Sequence, residues 1–247
     1  MWLLVSVVAA DEARDAASGG ADILDVKNPT EGSLGAQFPR VIQEIRASAP
    51  RPLKVSVAIG DMPNLPGTAS LAALGAAVCG ADYVKVGLWG PRSEADAIFL
   101  LREVQRAVSN FPSVEVIAAG YADARRAGTL DPRLLPRIAR EAGVAGCLVD
   151  TAIKDGRRLF DFLATGELRA LADEAHGAGL LFALAGALQE DDLLLVRDLG
   201  ADVAGLRTAV CRDGRRAGPL DPDRVRRLRE IIASQDDVPR KDFHVPD

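Results

Sequence analysis

Apolar runs of strand length alternate with segments of helical period from one end of the chain to the other. The strand-like runs cover 2–8, 22–27, 54–59, 83–88, 115–120, 146–151, 180–185 and 202–207. They read as near-continuous Val, Ile, Leu and Ala, as expected when both faces of a parallel sheet are covered. Between them the periodicity predicts helices near 11–18, 39–48, 68–79, 93–110, 131–142, 159–177, 189–199 and 221–233. Eight strand-then-helix units predict a parallel sheet with its helices outside. Closure into a (β/α)8 barrel, the TIM-barrel architecture, is the usual way to arrange eight such units.

A short repeat fixes the phase of these units. Gly20-Ala21-Asp22, Gly80-Ala81-Asp82 and Gly200-Ala201-Asp202 each close a helix and open a strand, with Gly143-Val144-Ala145 as a looser copy. Glycine suits the spot because the residue after a helix often turns left-handed. No linker divides the chain, so residues 1–233 are expected to form one catalytic barrel domain. Residues 234–247 lose the helical period and are expected to be a loose tail, or an arm docking on a second subunit of a homo-oligomer.

Composition narrows the function classes. The 247 residues suit one barrel, which typically runs to roughly 250. A net charge of −5 with no basic stripe argues against nucleic acid as a partner. His176 and His244 are the only histidines, and Cys79, Cys147 and Cys211 lie far apart. That excludes a His-rich metal site, so no metal or cofactor is expected, and the unpaired cysteines favour a reducing, cytoplasmic compartment. The apolar start at 2–8 has no basic flank and runs at once into Asp11-Glu12, so it reads as a buried first strand rather than a signal peptide. No apolar run approaches the ~20 residues of a membrane span.

In such barrels the active site lies at the C-terminal ends of the strands. Strand two ends in Asp25-Val26-Lys27 and strand four in Lys85-Val86-Gly87. Strand six ends at Asp150, with Lys154 four residues on, and strand eight in Gly205-Leu206-Arg207. Aligning the Gly-Ala-Asp openings puts Lys85 in phase with Asp25, and Arg207 with Lys27, so all four can point inward. The chain has 25 arginines but only five lysines, and three of the five sit at or just after strand ends. Arginine keeps its proton in proteins, whereas a lysine can become a neutral amine and attack a carbonyl. A fall from near 10.4 to about 7 would correspond to ~4–5 kcal/mol of differential stabilisation, which burial and neighbouring cations can supply. The competing reading is a set of buried lysines paired with Asp25 and Asp150 for structure alone. Lys54, at the start of a strand, belongs to the stability face.

Phosphate is the natural handle of a small substrate, and the loops after strands seven and eight often bind it in these barrels. Here they supply Gly186, Ala187, Gly205, Arg207 and Thr208. Arg207 is expected to take two phosphate oxygens; the alternative is an outward pairing with Asp221 or Asp223. Gly120 and Gly67-Thr68 are weaker candidates.

Four segments carry a family resemblance: Asp25-Val-Lys-Asn-Pro-Thr-Glu-Gly-Ser-Leu-Gly-Ala36, Gly80-Ala-Asp-Tyr-Val-Lys-Val-Gly87, Ala118-Ala-Gly-Tyr-Ala-Asp-Ala124 and Leu148-Val-Asp-Thr-Ala-Ile-Lys-Asp-Gly156. They resemble the (5-formylfuran-3-yl)methyl phosphate synthases, also called 4-(hydroxymethyl)-2-furancarboxaldehyde-phosphate synthases, over the chain to about residue 232. The resemblance implies a barrel that condenses two glyceraldehyde 3-phosphates into a furan phosphate for methanofuran-type carriers, with loss of phosphate and water. It implies Lys27 as the Schiff-base lysine and Lys85 as the proton acceptor. Asp25, Asp150 and Lys154 match the family's other active-site charges. Where members often carry a further lysine or a longer basic stretch near the strand-eight loop, this chain has Arg212, Arg215 and Arg216. Two other readings stay open at this point. One is a different Schiff-base aldolase or isomerase acting on a small sugar phosphate. The other is a non-catalytic barrel that binds a phosphorylated ligand.

Overall fold

The computed structural model describes residues 1–233, so the expectations for the 234–247 tail lie outside the described residues. Eight parallel strands close into a barrel in sequence order. They are β1 (Trp2–Val7), β2 (Ile23–Val26), β3 (Lys54–Asp61), β4 (Tyr83–Gly87), β5 (Glu115–Tyr121), β6 (Gly146–Asp150), β7 (Leu181–Leu184) and β8 (Val203–Leu206). Around them run α1 (Ala10–Ser18), α2 (Pro39–Ser48), α3 (Pro66–Val78), α4 (Glu94–Ala107), α5 (Ala124–Ala127), α6 (Leu135–Ala142), α7 (Thr165–Gly177), α8 (Leu193–Asp198) and α9 (Pro222–Ala233).

Side-chain alternation along the strands splits the core in two. Leu3, Val5, Leu24 and Val26 face the helices. Leu4, Ile23, Tyr83, Ile117, Leu148, Leu181 and Val203 fill the barrel axis. The axis is therefore packed in its lower half, and inward positions further along each strand are free for chemistry.

The Gly-Ala-Asp repeat has a structural cause on both sides. Gly20, Gly80 and Gly200 stand at φ of 89°, 92° and 91°, a region that disfavours other residues. The aspartate that follows accepts a backbone N–H at the foot of the preceding strand. Asp22 takes Leu3 at 2.9 Å, Asp82 takes Val55 at 2.8 Å and Asp202 takes Phe182 at 2.9 Å. Lys54 joins this lower rim 3.7 Å from Asp82, and His176 bonds Asp202 there.

Several segments differ from the periodic reading. The helix expected over 159–177 begins as a 3-10 turn at Leu159–Asp161 and restarts at Thr165. Leu159 is fully buried and its amide is claimed by Gly186 O at 2.9 Å, which pulls this stretch onto the loop after β7. The four-residue α5 had no periodic signal; it ends at Gly128, which is left-handed at φ 66°. Outside, Leu71, Leu74 and Val78 on α3 and Phe99 on α4 are exposed. No helix among the described residues is long and apolar enough to cross a membrane.

Candidate active site

The carboxyl ends of β2, β4 and β6 bring five charged side chains together in one row. Lys85 Nζ lies 2.5 Å from Asp25 Oδ1, and Lys27 Nζ lies 3.5 Å from Asp25 Oδ2. Lys27 is also 3.9 Å from Asp150 Oδ2, while Lys154 Nζ is 2.6 Å from Asp150 Oδ1. The order is thus Lys85, Asp25, Lys27, Asp150, Lys154. Asp25, Lys27, Lys85 and Asp150 are all buried. Ser6, level with Asp25 in the β1–β2 register, donates its hydroxyl to Asp25 at 3.1 Å.

Burial and charge work against each other here. Burial pushes the Asp25 carboxyl up, but Lys85 and Lys27, with hydrogen bonds from Lys85 and Ser6, hold it below the usual carboxylate range. Burial also raises Asp150, and Lys154, Lys27 and the Thr151 amide pull it well below that range. Lys85 is lowered by burial, with Lys27 acting in the same direction and Asp25 opposing. Lys154 is lowered by burial, again with Lys27 adding and Asp150 opposing. Low dielectric disfavours the ammonium form, so these amines release a proton more readily than lysines in water.

Two loops fix the outer part of the site. Asp123 accepts the amides of Ala152 at 2.6 Å and Ile153 at 3.0 Å, which shapes the turn bearing Lys154. The loop after β2 crosses the barrel mouth. Ser33 donates to Thr151 O at 2.8 Å, and the Leu34 amide to Asp61 at 3.3 Å, while Leu34 itself is fully buried. The Tyr121 hydroxyl donates to the other Asp61 oxygen. This strap ties the end of β3 to the loop after β6 across the barrel mouth.

That pocket is lined by Lys27, Lys85, Lys154, Gly186, Ala187, Gly205 and Thr208, so the strand-seven and strand-eight loops do face the lysines. Gly186 and Ala187 are both left-handed, at φ of 107° and 55°, an uncommon state for alanine. At Gly205 an added Cβ would sit 3.1 Å from Ala185 Cβ, so a larger residue would crowd the pocket floor. Gly120 faces Leu135 of α6 instead, and Gly67 opens α3; neither lines this pocket.

Arg207 is placed otherwise than expected. It borders the pocket, but its guanidinium grips Glu12 through Nη1 at 2.5 Å and Nη2 at 2.9 Å. Its remaining bonds go to the backbone oxygens of Ser6 at 3.0 Å, Arg216 at 3.1 Å and Gly218 at 3.1 Å. Neither Asp221 nor Asp223 is its partner. A guanidinium has five N–H donors; with them bonded to protein oxygens, Arg207 has little left to offer a phosphate. Glu12 sits on the first turn of α1, and nothing local in the sequence marks a partner 195 positions away.

Ser6, Asp61, Tyr121, Asp123 and Arg216 were also not singled out as site residues. Asp61 and Tyr121 carried the same signal as Lys27, a polar side chain at a strand's carboxyl end. Among the described residues no group of three or more His, Cys, Asp or Glu is placed to hold a metal ion.

A closed parallel barrel with lysines and carboxylates gathered at its carboxyl mouth defines a (β/α)8-barrel enzyme with a small, highly charged pocket. The chain belongs to the 4-HFC-P synthase family, whose model matches residues 3–229. The (5-formylfuran-3-yl)methyl phosphate synthase of Methanopyrus kandleri is 51% identical over 233 residues, 94% of this chain and 98% of the relative. That of Methanocaldococcus jannaschii is 48% identical over 94% of this chain and 99% of the relative. Among solved structures, phosphoribosyl anthranilate isomerase from Thermus thermophilus superposes with a TM-score of 0.63 at 18% identity, covering 95% of this chain and 99% of that one. A 3-hexulose-6-phosphate synthase gives 0.59 at 21% identity over 92% and 99%. These two share the fold.

Proposed function

We propose that this enzyme condenses two molecules of glyceraldehyde 3-phosphate into 4-(hydroxymethyl)-2-furancarboxaldehyde phosphate through a Schiff base on Lys27. The observation that carries this is the five-charge row. Lys27 stands at its centre, and both carboxylates beside it are already held more tightly by another lysine. Its amine is the one least committed to an ion pair and the one whose both sides are lined with proton carriers.

In this reading Lys27 forms an imine with one triose phosphate, and the imine serves as the electron sink. Lys85, whose proton affinity burial lowers, removes the proton alpha to the imine to give an enamine. The enamine then joins the second triose through a new carbon–carbon bond. Elimination of one phosphate, ring closure, release of the Lys27 amine and the loss of two waters overall give the furan. Asp25 and Asp150 orient the amines, and Lys154 serves the oxygen that must leave as water. The loops at Gly186, Ala187, Gly205 and Thr208 cradle a phosphate. The product would feed methanofuran-type carriers, and the unpaired buried thiols of Cys79, Cys147 and Cys211 fit a reducing cytoplasm.

Borohydride treatment with glyceraldehyde 3-phosphate tests this. A reduced adduct should map to the peptide containing Lys27 and vanish in Lys27→Arg, which keeps the charge but not the amine. Glyceraldehyde 3-phosphate alone should yield the furan chromophore, which another Schiff-base aldolase would not produce. An adduct on Lys85 or Lys154 would reverse the roles, and no adduct at all would leave a ligand-binding barrel.

A further inference from the structure

We infer that Arg216 is the side chain that grips the substrate's phosphate, and that the buried Glu12–Arg207 pair is the post that aims it. The inference rests on the phosphorylated-substrate reading above and adds a residue to it. Arg216 lines the lysine pocket beside Thr208 and Gly186. Its guanidinium has no hydrogen-bond or ion-pair partner among the described residues, and its charge is felt at Lys154.

The main chain under Arg216 is held firmly. Its carbonyl accepts Arg207 Nε at 3.1 Å, and two residues on Gly218 O accepts Arg207 Nη2 at 3.1 Å. Arg207 is in turn locked by both oxygens of Glu12 and by Ser6 O. The turn is closed at Gly218, where an added Cβ would come within 3.0 Å of Arg215 O. A surface loop is thereby pinned at two points, with one unpaired guanidinium directed at the pocket.

Charge supports a dianion there. Among the described residues that line the pocket, Lys27, Lys85, Lys154 and Arg216 face only Asp25 and Asp150, since Glu12 balances Arg207. With every lysine protonated the formal excess is two positive charges, and a phosphate monoester carries about −1.5 to −2 near neutral pH. The left-handed Gly186–Ala187 pair lies on the same pocket, and its amides have no hydrogen-bond partner among the described residues. Arginine also suits the chemistry. It takes two phosphate oxygens at once, and it cannot form an imine, whereas a fourth lysine at this rim could capture the aldehyde unproductively.

The test titrates the full-length protein with inorganic phosphate by calorimetry, alongside borohydride trapping with glyceraldehyde, which lacks the phosphate. Loss of a charge-assisted contact should weaken phosphate roughly ten- to a hundredfold in Arg216→Ala. Arg216→Lys should recover part of that affinity. Trapping of glyceraldehyde on Lys27 should persist in both variants. Phosphate affinity unchanged in Arg216→Ala, with an unchanged melting temperature, overturns the inference. If Arg216→Ala melts early, Arg216→Lys and Arg216→Gln decide by the same titration. Failure of wild type to trap either aldehyde would refute the Schiff base instead, and the phosphate titration would still judge Arg216.

Discussion

Replacing Arg207 by Met separates a structural clamp from a substrate contact. The side chains of Arg207 and Glu12 are 7% and 11% exposed, so solvent screens the pair little. Met removes the guanidinium and leaves the Glu12 carboxylate buried opposite an apolar chain. The oxygens of Ser6, Arg216 and Gly218 also lose their donor. Removing one member of a buried ion pair typically costs ~3–5 kcal/mol, much of it for the stranded charge. At ~2–4 °C per kcal/mol for a chain of this size, the melting temperature should fall by roughly 6–20 °C. Because the stranded charge dominates, the double variant Glu12→Gln/Arg207→Met should be more stable than the sum of its single variants implies. Thermal melts of all four proteins give the coupling energy, and steady-state kinetics at a temperature where each is folded give KM. Melting temperatures within a degree of wild type, additive effects within ~0.5 kcal/mol, and a KM raised tenfold in Arg207→Met would refute the clamp and return Arg207 to the substrate.

Asp150→Asn should destabilise the fold at neutral pH, because Lys154 and Lys27 lose their shared counter-charge. The Asp150 carboxyl is held below its usual range in the folded state, so its contribution is fully present above the unfolded value of about 3.9 and fades as the pH falls below it. Denaturant melts across pH should show the gap between wild type and variant shrinking on the acid side; a constant gap would contradict the ion-pair account. Gly87→Ala should cost ~1–3 kcal/mol, because the new Cβ would meet Tyr121 Oη at 2.5 Å and Gly60 O at 2.8 Å; a melt unchanged from wild type would show that the Tyr121–Asp61 bond yields easily. Chelators should leave the condensation rate unchanged, and a complete loss with EDTA that a divalent ion restores would rule out an imine as the sole electron sink.

All eight strands were legible because a strand covered on both faces writes itself as an uninterrupted apolar run. The segments at 131–142 and 159–177 were less so. A 3-10 turn at Pro132–Leu134 precedes α6, and the anchoring of Leu159 on Gly186 interrupts the second. The second depends on a partner distant in sequence, which periodicity cannot register, whereas the first is a local turn closed by Asp131 on the amides of Arg133 and Leu134. The lysine row was legible for a chemical reason. In a chain that uses arginine for surface charge, lysines at Lys27, Lys85 and Lys154 stand out, and strand phase predicts that Lys85 meets Asp25.

What the sequence determined by itself was the barrel, the end at which its charges gather, and the lysines and aspartates brought together there. These follow from alternation and residue type, both local properties of the chain. What only the tertiary structure decided was which charge neutralises which. Phase brought Arg207 to the pocket's edge correctly, but a long flexible side chain goes to the best buried acceptor within reach. That acceptor, Glu12, comes from the first helix of the barrel, which closure of β8 onto β1 sets beside it. The same closure left Arg216, unremarkable in its run of arginines, as the guanidinium on the pocket wall without a partner among the described residues.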